Sequence, residues 1–121
     1  MAWEVEFTDE FEEWWDTLSE AEQGKVDARV GLLMERGPNL GFPFSSQVKT
    51  SRFPEMRELR AQAGGDPLRI LYAFDPRRTA ILLVAGDKTG DDRWYEKNVP
   101  VADIVFERHL KMLEKERTED G

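Results

Sequence analysis

Residues 2–7 alternate strictly, with Trp3, Val5 and Phe7 on one face and Glu4 and Glu6 on the other. That is the two-residue period of a half-buried strand. The period then lengthens. Phe11, Trp14, Trp15 and Leu18 fall at i, i+3, i+4 and i+7, a helical stripe that Thr8 or Asp9 can cap and that acidic residues near its start favour. Trp14 and Trp15 therefore read as core residues, and Glu12, Glu13 and Asp16 as an exposed face. Ser19 and Glu22 have capping-box spacing ahead of a second stripe of Val26, Val30, Leu33 and Met34, which Gly37-Pro38 ends. The pattern predicts a strand followed by a helical hairpin.

Residues 38–54 read as a loop with an extended segment, broken at Gly41 and Pro43 and basic from Lys49 to Arg52. Three strands are predicted at about 56–62, 68–74 and 79–85, joined by glycine- and proline-containing turns at 63–67 and 75–78. Residues 81–84 are all apolar, which predicts a central strand covered on both faces. A loop at 86–92 leads to Arg93-Trp94-Tyr95-Glu96. A last helix is predicted from about Pro100, burying Val101, Ile104, Val105 and Met112 with Phe106, Leu110 and Leu113 beside them. With no internal repeat or low-complexity tract, residues 1–121 read as a single α+β domain.

Composition narrows the chemistry. Without cysteine and with one histidine, the chain has no thiolate zinc site, no cysteine nucleophile and no multi-histidine centre. No metal or other cofactor is expected. No apolar run reaches the roughly 20 residues of a membrane span and no signal peptide opens the chain, so a cytoplasmic location is expected. His109 lies in the last helix, well after the basic segment, and reads as structural. The loop at 86–90 lacks phosphate-loop spacing.

The net charge of −8 argues against a polyanionic ligand until its distribution is considered. Residues 1–47 hold three basic and eleven acidic side chains, whereas residues 48–97 hold ten basic and eight acidic ones. The basic charge sits on the predicted strands, where Arg57, Arg60, Arg69, Lys88 and Arg93 can converge with Tyr95. Arg57 and Arg60 fall on opposite strand faces by parity, and Leu59 shares the Arg57 side, so Arg60 is the one that faces a cleft. Such a surface suits a phosphodiester, with Lys49, Arg60 and Arg93 as phosphate contacts. The simpler reading pairs Arg69 with Glu58 or Asp87 and leaves the loop cations solvated.

Leu40-Gly41-Phe42-Pro43, Lys49, Arg57-Glu58-Leu59-Arg60, the run from Arg69 to Asp75, and Gly86-Asp87-Lys88-Thr89-Gly90 occur in that order. Together they resemble the phage-derived, HigB-like branch of the RelE toxin superfamily. The resemblance implies a toxin of a toxin–antitoxin pair, with a curved antiparallel sheet, an N-terminal helical hairpin and a C-terminal helix, the helices on one side. It implies a ribosome-dependent mRNA endoribonuclease that uses the ribose 2′-hydroxyl without metal. Such cleavage needs a proton acceptor, charge stabilisation at the phosphoryl oxygens and a proton donor for the leaving oxygen. The positions that match the family's catalytic residues are Arg69, Lys88 (or Arg93) and Tyr95, whose phenol would need nearby cations to act as a base. Where some relatives carry lysines on the first meander strand, this chain has Met56 and Glu58.

The implied partners are the ribosome with mRNA and a cognate antitoxin carrying a helix-turn-helix domain. The basic surface of such a domain would complement the acidic hairpin, in particular Glu12, Glu13 and Asp16. A second reading from another class is a non-enzymatic inhibitor of the same fold, for example one that binds gyrase, or an inactive phage-derived binding protein. Acidic charge and Glu58 favour it.

Overall fold

The computed structural model describes residues 2–120. The order of elements is β1 (Val5–Phe7), α1 (Asp9–Asp16), α2 (Glu20–Arg36), a 3₁₀ turn (Gly37–Asn39), β2 (Ser45–Gln47), β3 (Arg57–Ala63), β4 (Asp66–Phe74), β5 (Ala80–Asp87) and α3 (Trp94–Asp120). Five strands form one sheet in the order β1-β5-β4-β3-β2. The β2 to β5 neighbours pair antiparallel, and β1 joins the edge of β5 in parallel.

The helix starts follow the sequence. The Thr8 hydroxyl accepts from the Phe11 amide and donates to the Leu83 carbonyl at 2.6 Å, so a single side chain caps α1 and docks it on β5. Ser19 and Glu22 form both hydrogen bonds of the capping box at α2. Gly37 is obligatory for two reasons: its φ is +57°, and a Cβ there would run into the Trp3 indole.

The sheet separates two apolar clusters. Leu68, Ile70 and Tyr72 of β4 face Phe11, Val26 and Leu33 of the helical hairpin. Leu71 and Ala73 face Trp94, Val99, Ala102, Val105 and Phe106 of α3. The hairpin and α3 thus cover opposite faces, which corrects the expectation of helices on one side. The reason is the alternation along β4, where both parities are apolar and both need a cover. A register shift between Leu71 and Tyr72 leaves Leu83 of β5 without a partner, and Leu83 and Val84 both enter the α3 cluster.

Other expectations need adjustment. β5 is covered on both faces as predicted, but β4 is the central strand and β5 lies beside the short β1. Beyond the end of the 3₁₀ turn, residues 38–54 supply only the three-residue β2, and the rest is held by contacts such as Ser51 Oγ and the Arg52 amide on the Asp103 carboxylate. The last helix begins at Trp94, with Pro100 inside it. Proline favours a first turn, but burial of Trp94 and Val99 draws the preceding residues into the helix. Its buried stripe is accordingly Val99, Ala102, Val105 and Phe106, while Val101, Ile104 and Met112 are exposed. Trp14 and Trp15 pack half-buried against the hairpin cluster.

Candidate active site

Antiparallel register builds the site on the face of the sheet that α3 only partly covers. Arg60 of β3 lies opposite Arg69 of β4, which lies opposite Gly86 of β5. One row further, Ser46 of β2 lies opposite Glu58 of β3, which lies opposite Leu71. Two like charges directly across a sheet repel. The carboxylate of Glu58, two residues from Arg60 on the same face, supplies the compensating charge.

Gly86 brings the first turn of α3 onto this surface. A Cβ at that position would sit 2.7 Å from the Trp94 Nε1, so its absence lets the indole lie against β5. Trp94 packs edge-on against Tyr95, and the Tyr95 hydroxyl donates to Glu58 Oε1 at 2.5 Å. Ser46 Oγ donates to Glu58 Oε2 at 2.8 Å. Arg69 Nε lies 3.3 Å from Glu58 Oε1, but its N–H is not aligned with an acceptor and remains buried without a hydrogen bond. Arg69 Nη1 donates to the Leu68 carbonyl. The side chains of Arg69 and Glu58 are only 6% and 9% exposed.

Burial raises the Tyr95 pKa above its ordinary value of 10.0, the hydrogen bond and negative charge of Glu58 raise it further, and Arg69 opposes both. The phenol is therefore protonated at neutral pH and is built to donate. Cations that would make it a base do not prevail: Lys88 Nζ sits 5.5 Å from the ring centroid, and Arg93 is held in an exposed pair with Glu96.

The predicted residues are thus brought together in part. Arg69, Tyr95 and Lys88 meet, and Arg60 joins them on the same face, its guanidinium over the exposed Phe42 ring at 5.2 Å. Among the described residues, neither Arg60 nor Lys88 has an ion-pair partner. Arg57 points to the hairpin side, where it donates to Ser45 Oγ and the Leu40 carbonyl. Lys49 is exposed in the turn after β2, and Arg52 pairs with Glu107 at 2.7 Å. His109 hydrogen-bonds Asp75, away from this cluster. Glu58, which in the sequence looks like a departure from the toxin pattern, is the hub. The sequence already offers it as one of two partners for Arg69, and that pairing is the one found. Ser46 had no such signal. Among the described residues, no group of three or more His, Asp or Glu side chains is disposed to hold a metal ion.

A family model described as Phage derived protein Gp49-like matches residues 13–107. The chain belongs to that family. It is 44% identical over 100 residues to the putative toxin HigB3 of Mycobacterium tuberculosis, covering 82% of this chain and 86% of that one. It is 41% identical over 103 residues to the putative toxin HigB2 of the same organism, covering 84% of this chain and 51% of HigB2, so it spans about half the length of that relative. Among solved structures, the E. coli toxin RelE, as a mutant in the free state, matches with a TM-score of 0.59 at 12% identity, over 79% of this chain and 94% of RelE. A chain of the RelBE2 toxin–antitoxin complex from M. tuberculosis matches with a TM-score of 0.55 at 17% identity, over 72% of this chain and 99% of that chain. The fold of this Gp49-like, HigB-type chain is therefore that of RelE, as its resemblance implied.

Proposed function

We propose that this chain is the toxin of a toxin–antitoxin pair and a ribosome-dependent mRNA endoribonuclease. The observation that carries the reading is the half-buried Tyr95 joined to the buried Glu58 and Arg69, flanked by Arg60 and Lys88, which have no ion-pair partner among the described residues. It offers the three roles that 2′-hydroxyl attack requires. Glu58 accepts the proton of the attacking 2′-hydroxyl. Arg69 and Lys88 stabilise negative charge on the phosphoryl oxygens as the new O–P bond forms. Tyr95 passes its proton to the departing 5′-oxygen as the old O–P bond breaks. The products are a 2′,3′-cyclic phosphate and a 5′-hydroxyl end, and no step calls for a metal. Arg60, with Arg93 and Lys49 at the margins, contacts flanking phosphates, while Phe42 offers an aromatic face.

Inducing the chain in bacteria and mapping new RNA 5′ ends tests this reading. Cuts within translated messages that carry 5′-hydroxyl ends support it. Growth arrest with intact mRNA would instead favour the non-enzymatic inhibitor. Tyr95→Phe separates the chemistry from the fold: loss of one hydroxyl donor costs about 1 kcal/mol of stability, whereas losing a general acid costs about 100-fold or more in cleavage rate. Glu58→Gln should lower the rate comparably. Wild-type cleavage by either variant would remove that residue from the chemistry.

A further inference from the structure

A groove of about 440 Å³ opens between β1, α1 and α2, on the hairpin face of the sheet and across it from the α3 cluster. Its apolar surface includes Phe7, Phe11, Val30 and Met34. Phe7 is 59% and Met34 39% exposed, so an aromatic ring and a thioether face solvent side by side. The charged residues of the groove are Glu12, Asp16 and Asp27, all acidic. Glu13, beside Glu12 on α1, does not line it.

The charges select the occupant. An acidic rim repels RNA and anionic lipid, and it repels a second copy of this chain, which would bring the same three carboxylates. The groove fits a segment with an apolar face flanked by Lys and Arg. Strand addition is limited here, because β1 has three residues and the Trp3 amide next to it already donates to the Met34 carbonyl. A helix laid in the groove satisfies its own backbone and needs only side-chain complementarity.

We propose that this groove is the antitoxin-docking surface and that it receives an amphipathic antitoxin helix whose apolar stripe is bordered by basic residues. The inference rests on the toxin reading above. It leaves the Glu58 cluster on the opposite face of the sheet, so antitoxin docking and RNA chemistry occupy separate surfaces and can be altered separately.

The test uses the product of the reading frame adjoining that of this chain, purified and bound to the full-length toxin. Phe7→Asp with Met34→Asp should weaken binding about tenfold or more. Glu12→Lys with Asp16→Lys and Asp27→Lys should slow association about tenfold at low salt, with the difference shrinking as salt screens the rim. Both variants should keep wild-type RNA cleavage and melting temperature and should escape neutralisation when co-expressed. Undiminished binding by both would overturn the groove as the docking surface while leaving the toxin reading intact. Wild-type chain that binds no adjoining product would overturn the antitoxin pairing itself, and the groove with it.

Discussion

Under the proposed endoribonuclease reading, replacing Arg69 with alanine should sharply reduce RNA cleavage and destabilise the fold at the same time. The side chain lies on the central strand, buried beside Glu58. Removing it leaves the Glu58 carboxylate in the interior with only the Tyr95 and Ser46 hydroxyls, and stranding a buried charge costs about 3 kcal/mol. Loss of a preorganised donor to the phosphoryl oxygens should cost about 100- to 1000-fold in rate. From the sequence, Arg69→Ala reads as a change that barely moves the melting temperature. The burial of the pair reverses that expectation. Combining Arg69→Ala with Glu58→Gln removes both charges and should recover most of the stability while cleavage stays low, which separates the two effects. Cleavage by folded Arg69→Ala within about tenfold of wild type would show that this guanidinium does not serve the transition state.

Asp75→Asn should be the most damaging change away from the site. One carboxylate with no exposed surface accepts from the amides of Arg77 and Thr79, from the Arg77 guanidinium, and from His109 of α3 at 2.9 Å. Arg77 also reaches Glu6 of β1 at 2.9 Å. The group therefore ties the β4–β5 turn to α3 and to the edge strand β1. An asparagine turns one acceptor oxygen into a donor that faces other donors and deletes the charge, for a loss of about 3 kcal/mol in urea unfolding. That is a large share of the ~5–15 kcal/mol typical of a domain.

The pH dependence has a definite sign. Burial pushes the Asp75 carboxyl up, but hydrogen bonds from His109, Arg77 and the Thr79 amide, with the charge of Arg77, outweigh it and hold the group below its ordinary 3.8. A depressed folded-state pKa stabilises the fold above the unfolded value, and that stabilisation is lost as pH falls through the folded value. The gap between wild type and Asp75→Asn should be full above about pH 4 and should close progressively in more acid solution. A gap that is constant across this range would show that the loss is not carried by the ionised carboxylate.

Secondary structure was largely legible because its causes are local. The Thr8 cap and the Ser19/Glu22 box act within a single turn, the apolar periods of α1 and α2 repeat within a few residues, and the turns before β4 and β5 carry their own glycines and prolines. Errors arose where a local rule met a distant partner. Pro100 marks a helix start by its own geometry, yet Trp94 is drawn into α3 by the bare backbone of Gly86. Val101 and Ile104 have the hydrophobicity of a buried stripe, but α3 turns Ala102 and Val105 to the sheet because their faces fit against Leu71 and Leu83.

The candidate site divides along the same line. The residue types were readable, and so was the parity that sets Arg60 against Arg57, because strand alternation is a property of the chain itself. The pairing of Arg69 with Glu58 was one of two that the sequence offered, but its joining with Ser46 and Tyr95 was not legible, since each comes from a different element and only strand register and the docking of α3 bring them within hydrogen-bonding distance. That packing turns Glu58 from an apparent defect into the hub of the cluster and keeps Tyr95 protonated. It likewise gathers Phe7, Met34 and three carboxylates into one groove. Burial and proximity across the sheet hold the Tyr95 proton and bring these groups within reach of one another, and both are properties of the folded chain that no single stretch of sequence contains.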